Sequence, residues 1–328
     1  MPSSVAVIVV NYGTADLAIA AVDSVLARDH GAHPVQVHLL DNASPGGDGA
    51  VLAEAHAARG WGARVTLWLE KENHGFGRGN NVVLRALWDS PAPPDYVFLL
   101  NPDAQLENDA IAILADRLDA EPQAAAAGAG IALPSGEPVS AAFRFPSVLS
   151  EFVQAVNFGP VSRIFCDCLV ALSPDHPDSP VDWVSGAAVM MRLPVLRALG
   201  GFDPDFFLYY EEVELMFRMR KSGYEVLYAP AARVRHVEGA ATDVKSGQRV
   251  RKAKPAYWYH SWRCYYFKTR GRPGAVAASL AWIAGAGINM LLATLRRQQT
   301  RAPKGFFRDF SRLVVRPLLF GRNRKTDL

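Results

Sequence analysis

Cysteine is scarce: Cys166, Cys168 and Cys264 are the only three in 328 residues. That excludes a disulfide framework, and the Cys166-Asp167-Cys168 pair lacks the second cysteine or histidine pair that a structural zinc site needs. A reducing, cytoplasmic setting follows. Charge of one sign is also lacking, since the net charge is only +3, so electrostatics give no ground for a nucleic-acid partner. The opening MPSSVAVIVVNYGTAD has no basic n-region, and its short β-branched run reads as a buried strand rather than a signal peptide. There is no internal repeat. The GxGxxG form of a dinucleotide site is missing, which removes a nicotinamide-dependent oxidoreductase.

What is present is a chain that is half hydrophobic, enough for a sizeable core. VAVIVVNY, ADLAIAAVDSVLARD, VQVHLLDNAS, GAVLAEAHAARG and ARVTLWLE alternate strand and helix patterns, which predicts a mostly parallel α/β sheet covered on both faces. Ligands of such sheets bind at the carboxyl ends of the strands, where NYGT, DNAS and ENHGFGRGNN fall. DYVFLLNPDAQL predicts a buried strand stopped at Pro102, followed by a helix to about Asp119. Gly200-Gly201 predicts the C-cap of a short helix. Residues 128 to 180 are Pro-rich and weakly periodic and read as irregular structure. Beyond residue 255 the chain turns aromatic and basic (YWYHSWRCYYFKTRGRPG), then uncharged (AVAASLAWIAGAGINMLLATL), then basic with apolar interleaving to Lys325. The uncharged run is long enough to cross a bilayer, but its Ala and Gly content equally suits a buried or interfacial helix; its flanks favour an anionic membrane surface.

Several residues are placed for chemistry. Asp103 follows a buried strand at the ligand edge, where it either holds Mg²⁺ or Mn²⁺ against a diphosphate or caps the next helix. Asp41 and Asn42 end a second strand, where they either read a nucleoside or make a turn. The glycines of NHGFGRGNN let backbone approach a phosphate at a helix start. In GGFDPDFFLYYEEVELMFRMRKSGYEVLYAPAARVRH, a helix from about Tyr210 brings Glu214 and Arg218 one turn apart as a surface pair. Glu212 points elsewhere and follows an aromatic segment, so its carboxylate is expected to be desolvated, as a general base requires. His236 is either a metal ligand or a structural histidine.

These motifs, in this order over residues 4 to 270, closely resemble the family-2 inverting glycosyltransferases of GT-A fold, particularly their bacterial rhamnosyltransferase-like branch. The resemblance implies a nucleotide-diphospho-sugar transferase fold, a Rossmann-like mixed sheet flanked by helices, with a helical, membrane-associating C-terminal extension. It implies a catalytic domain over 1–255, nucleotide-binding to about 127 and acceptor-binding and catalytic from about 128, followed by a basic-aromatic extension over 256–328. NPDAQL matches the metal-binding DxD variant, which assigns Asp103, with His236, to Mg²⁺ or Mn²⁺. Asn11, Tyr12, Asp41 and Asn42 match the base and ribose pocket, and Asn73, Gly75, Gly79 and Asn80 the diphosphate and sugar; Arg78 stands where the family more often has a small residue.

FLYYEE matches the family's FxYxED, with Glu212 in place of the usual catalytic aspartate and Glu211 as its alternative. Trp183 and Gly186 of WVSGAA match the sugar and acceptor side. The activity implied is metal-dependent transfer of a sugar, L-rhamnose from dTDP-rhamnose or another sugar from a UDP donor, to a lipid-linked or polysaccharide acceptor in cell-envelope glycan synthesis. The implied location is the inner face of the cytoplasmic membrane, with no nucleic acid as partner and self-association left open. The competing reading is an inactive glycan- or membrane-binding scaffold of the same fold.

Overall fold

The structure is a computed structural model describing residues 2–237, 252–300 and 302–321. Arg322, Arg324 and Lys325 at the end of the basic tail, and residues 238–251 just before the expected boundary at 255, lie outside the described residues. The chain opens with strict alternation: β1 (Val5–Asn11), α1 (Ala15–Leu26), β2 (Val35–Asp41), α2 (Asp48–Ala58), β3 (Val65–Leu69), α3 (Phe76–Trp88) and β4 (Tyr96–Leu100). Every residue of β1 and β4 is buried, as expected of strands covered on both faces. After the Pro102 turn come β5 (Ala104–Leu106), α4 (Ala110–Asp119), β6 (Ala124–Ala132), β7 (Pro138–Val139) and β8 (Ala142–Phe143).

The stretch expected to be irregular is more regular than its composition suggests. It holds the end of β6, α5 (Val148–Val156), α6 (Gly159–Ile164) and β9 (Ser179–Val181). A capping box, in which Ser147 and Ser150 exchange side-chain and backbone hydrogen bonds, starts α5. Then follow β10 (Trp183–Val184), β11 (Ala188–Arg192), α7 (Leu193–Leu199), α8 (Glu211–Lys221), β12 (Glu225–His236), α9 (Ala256–Leu295), α10 (Phe306–Phe310) and α11 (Arg316–Phe320). Gly200, at φ 77°, closes α7 as expected.

The chain groups into two compact units, one of 1–143, 172–203 and 215–247, the other of 144–171, 204–214 and 248–328. They do not follow a linear cut at residue 255, because two internal segments group with the C-terminal chain. In the first unit the main sheet runs β3, β2, β1, β4, β11, β6, β12, β5. β1, β2, β3 and β4 are parallel, while β11 runs antiparallel to both β4 and β6, so the sheet is mixed. The order reverses at β1, which lies between β2 and β4, and the crevice at such a switch point is where α/β sheets bind ligands. The Ala/Gly run of β6 has a steric reason: a Cβ on Gly128 would come within 2.4 Å of Val184.

In the second unit α5 packs on α9, which is broken at Gly271 (φ 67°, ψ 176°) and followed by Pro273. The small residues of the uncharged run explain themselves here. A Cβ on Gly285 would meet the Phe152 carbonyl oxygen at 2.6 Å and the Ala155 Cβ at 2.7 Å, so the helices approach backbone to backbone. Asn289 Nδ2 donates to the Val156 carbonyl at 3.0 Å and ties the end of α5 to α9. The opposite face of α9 reads Ala277, Leu280, Ala284, Ile288, Leu291, Leu295, all exposed and at helical spacing. Leu280, Leu291 and Leu295 point outward there, Leu295 being 72% exposed, while Trp282 packs inside the unit against Trp262 and Phe310.

Candidate active site

β1 and β2 end side by side, Asn11 opposite Asp41. Asn11 is fully buried and its amide is fully engaged. Nδ2 donates to Asp41 Oδ1 and Asp48 Oδ2, both at 3.0 Å, and Oδ1 accepts from the Thr14 backbone N–H and hydroxyl at 3.2 and 2.9 Å. With its side-chain hydrogen bonds used internally, Asn11 shapes the loop between the two strand ends. Ser44 Oγ donates to Asp41 Oδ1 at 2.6 Å and accepts from the Gly13 N–H at 2.9 Å. Asp48 also accepts from the Ala15 N–H at 2.9 Å. The sequence reading missed Asp48 and Ser44; the only signal was an acid at a helix start after Gly46-Gly47. Tyr12, 40% exposed, is the outward-facing member of the group.

Asn42 is a backbone clamp. Its Nδ2 donates to Asn73 Oδ1 at 3.1 Å and to the Gly75 carbonyl at 3.0 Å, and its Oδ1 accepts from the His74 N–H at 3.0 Å. This fixes the loop that enters α3, where Gly75 sits at φ 76°, a region that favours glycine. Gly79 allows α3 to approach β1, since a Cβ there would lie 3.2 Å from Val10 Cγ1. Asn80 donates to the Phe76 carbonyl of its own helix at 3.0 Å, and Arg78 Nε to the His74 carbonyl at 2.7 Å. A residue not foreseen is Asn81, buried in α3, which exchanges two hydrogen bonds with the backbone of Phe202 at 2.7 and 2.9 Å. It ties the GGF turn to the helix of the glycine loop.

β4 ends before Asn101-Pro102-Asp103, and β5 pairs antiparallel with the end of β12, Ala104 opposite His236. Residues 133 positions apart therefore meet: His236 Nε2 lies 3.0 Å from Asp103 Oδ1, with both side chains largely buried. Two ligands at right angles, each about 2.1 Å from a hard divalent cation, lie about 3.0 Å apart. A carboxylate and an imidazole at that spacing fit Mg²⁺ or Mn²⁺ as donor chemistry, and the same spacing also suits a direct hydrogen bond. Nearby, the Asn101 N–H donates to the Ala187 carbonyl at 2.9 Å, which brings the turn holding Gly186 beside the strand end. Trp183 stacks on Phe143, centroids 4.1 Å apart. A further group, His33, Asp116 and Asp119, lies with Ser3 at the start of β1, at the opposite end of the strands.

The Glu211–Glu212 pair opens α8 within the second unit. Tyr209 and Tyr210 before it both take left-handed backbone, φ 71° and 70°, a costly conformation for bulky residues that clusters at functional sites. Oε2 of Glu211 and Oε2 of Glu212 are each buried without a hydrogen-bond partner among the described residues. Burial, with the neighbouring Glu212 charge, pushes the Glu211 carboxyl well above the usual range. Burial also raises Glu212, opposed by hydrogen bonds from the N–H groups of Glu212 and Val213, the free donors of a helix start. The surface placement expected of Glu214 is corrected, since it is buried, and Arg218 donates to the carbonyls of Leu199 and Gly201 at 2.7 and 2.8 Å.

The sequence profile described as "Glycosyltransferase like family 2" matches residues 2–254. The chain belongs to that family. This glycosyltransferase is 27% identical over 284 residues to an N-acetylglucosaminyl-diphospho-decaprenol L-rhamnosyltransferase of Mycobacterium tuberculosis, covering 83% of this chain and 88% of that protein. It is 26% identical over 175 residues to the rhamnosyltransferase WbbL of Escherichia coli K12, covering 50% of this chain and 61% of WbbL. It is thus a family-2, rhamnosyltransferase-like protein. Among solved structures it resembles a mannosyltransferase of Pyrobaculum calidifontis in complex with GDP-Man and Mn²⁺ (TM-score 0.55, 16% identity, 90% of this chain and 76% of that one). It also resembles GalNAc-T7 with UDP, GalNAc and Mn²⁺ (TM-score 0.59, 12% identity, 96% and 58%). The fold of the glycosyltransferase is GT-A.

Proposed function

We propose that this glycosyltransferase moves L-rhamnose from dTDP-rhamnose, by single displacement with inversion, to a lipid-linked or polysaccharide acceptor in cell-envelope glycan synthesis. The observation that carries the reading is the Asp103–His236 pair at the carboxyl edge of the sheet. The rhamnose assignment is supported by the names of two relatives; a UDP-sugar donor is the second reading, favoured by the UDP held by one structural neighbour. Asp103 and His236 would hold Mg²⁺ or Mn²⁺, whose chemistry is to neutralise charge on the departing nucleoside diphosphate. The first turn of α3, entered through Gly75, presents backbone N–H groups to the diphosphate. Tyr12, with the loop built by Asn11, Asp41 and Asn42, forms the nucleoside side, and Asn73, Gly79 and Asn80 shape the diphosphate side. Trp183 and Gly186 line the acceptor side.

Glu212 acts as general base. As the acceptor oxygen bonds to the anomeric carbon, its proton passes to Glu212, and the anomeric carbon–oxygen bond breaks with its electron pair going to the diphosphate. Burial raises both carboxyls, so Glu211 and Glu212 titrate as an interacting pair, one proton binding more tightly than the other. The catalytic domain is assigned to 1–255, and the extension over 256–328 to the inner face of the cytoplasmic membrane. The outward apolar stripe of α9, with Arg296, Arg297 and Arg316 beyond it, supports an anionic lipid surface.

The test is calorimetric titration of dTDP and UDP, each with and without Mn²⁺, on wild type and Asp103→Ala. Mn²⁺-dependent binding of one nucleotide, lost in the variant, is the expected outcome. Equal binding with and without metal rejects the metal site, and no binding of either nucleotide favours the scaffold.

A further inference from the structure

The second unit holds a buried carboxylate that sugar transfer leaves unused. Glu151, on α5, is 7% exposed. Its Oε1 accepts from the Tyr266 hydroxyl at 2.6 Å and from Trp262 Nε1 at 3.2 Å. Burying a carboxylate among rings is costly, and here burial pushes it up to about 7 despite both hydrogen bonds. A site kept at that cost holds something in place, and the rings it grips lead to the base. Tyr266 packs edge-on against Tyr265 at 5.2 Å between centroids, and Tyr265 packs on Tyr210 at 5.4 Å. Tyr210 precedes Glu211 directly and carries the left-handed backbone. The same half of α9 grips the segment before Tyr210 twice more: Ser261 Oγ donates to the Leu208 carbonyl at 2.9 Å, and Lys268 Nζ lies 2.8 Å from Asp205.

We propose that Glu151 is a positioning residue for the Glu211–Glu212 pair: by anchoring Trp262 and Tyr266 it fixes the aromatic wall that holds Tyr210 in its left-handed conformation, and so aims the first turn of α8. Two left-handed tyrosines in succession persist only where surrounding packing over-determines them. The wall supplies that packing, and Glu151 supplies its fixed point. The inference rests on the assignment of the base to this pair.

The experiment has two arms on the full chain. In the first, amide hydrogen exchange of the 204–214 peptide is compared in wild type, Glu151→Ala and Glu151→Gln. Glutamine keeps an oxygen that accepts from both donors, so it should exchange like wild type, while alanine should exchange about tenfold faster there. Peptides covering 96–104 should be unchanged. In the second arm, hydrolysis of dTDP-rhamnose and of UDP-glucose with Mn²⁺ is followed by nucleotide release. Glu151→Ala should lower kcat roughly 10- to 100-fold with donor KM within about twofold, the signature of a misplaced group rather than lost binding, and Glu151→Gln should restore it. If the alanine variant does not fold, Tyr266→Phe and Trp262→Phe each delete one hydrogen bond and should give partial loss in both arms.

Unchanged exchange at 204–214, or faster exchange with wild-type turnover, overturns the proposal. So does a Glu151→Gln variant as impaired as the alanine. Wild-type turnover in both Glu212→Gln and Glu211→Gln instead sinks the base assignment, a separate pattern, and a wild type that hydrolyses neither donor sinks both.

Discussion

The two regions with polar groups at their centre are built in opposite ways. At the ends of β1 and β2, Asn11, Asp41, Asn42, Ser44 and Asp48 are buried and satisfy one another. At the start of α8, two buried carboxylate oxygens have no hydrogen-bond partner among the described residues, and two tyrosines hold strained backbone. Saturated networks give rigid shape, because each hydrogen bond removed strands a buried partner. Unsatisfied, desolvated carboxylates have a raised proton affinity, which is what proton transfer needs. The first region is built for fixed shape and the second for raised proton affinity.

That contrast breaks first at Glu212. Glu212→Gln should lower the rate of donor turnover by on the order of 10²- to 10⁴-fold, the usual worth of a general base, with nucleotide affinity unchanged by calorimetry. Because burial raises the carboxyls, the acid limb of the wild-type pH–rate profile should lie above the ordinary glutamate value of 4.5. A limb at or below it would remove the desolvation argument. Asp103→Ala should cost about 10- to 100-fold in Mn²⁺-dependent nucleotide affinity and little without metal, on the scale of perturbed metal sites.

Glu151 sharpens the comparison through stability. Its folded value of about 7 lies above the 4.5 of the free group. Its contribution is therefore fully present below about 4.5 and lost as pH rises through about 7. At about 1.4 kcal/mol per pH unit, the rise from 4.5 to about 7 amounts to at most about 3.5 kcal/mol. The groups facing it are Tyr210, Tyr266 and the indole of Trp262. Glu151→Gln should accordingly melt higher than wild type at pH 9 and near it at pH 5. Smallest is Asn11→Ala, which strands Asp41 and Asp48 and should cost about 1–3 kcal/mol in unfolding free energy, with the effect on nucleotide binding following the loss of loop shape.

Much of the fold was legible because its signals are local. β-branched runs such as VAVIVV, the Pro102 stop and the Gly200 cap depend on neighbours in the chain and appear where expected. The α5 region was not legible: its serine capping box sits in a Pro-rich stretch, and its partner face on α9 lies more than 100 residues away. Glu214 and Arg218 had the spacing of a surface pair, yet packing buried Glu214, and Arg218 also reaches the end of α7. Of the site, the residue types and their order were readable. Asn11 spent on its neighbours, Asp48 and Ser44 completing the network, and Asn81 clamping Phe202 were not, because each depends on a contact between distant segments.

By itself the sequence determined the alternation of strands and helices, the glycines that only certain turns accept, and the family. Only the tertiary structure decided that Asp103 meets His236, through the pairing of β5 with β12, that β11 runs antiparallel within the sheet, and that the charge-free run of α9 sets Gly285 against α5 and turns Leu280, Leu291 and Leu295 outward. The reason is physical: backbone conformation follows from a residue and its near neighbours, whereas burial, pairing and proton affinity depend on what the rest of the chain brings alongside.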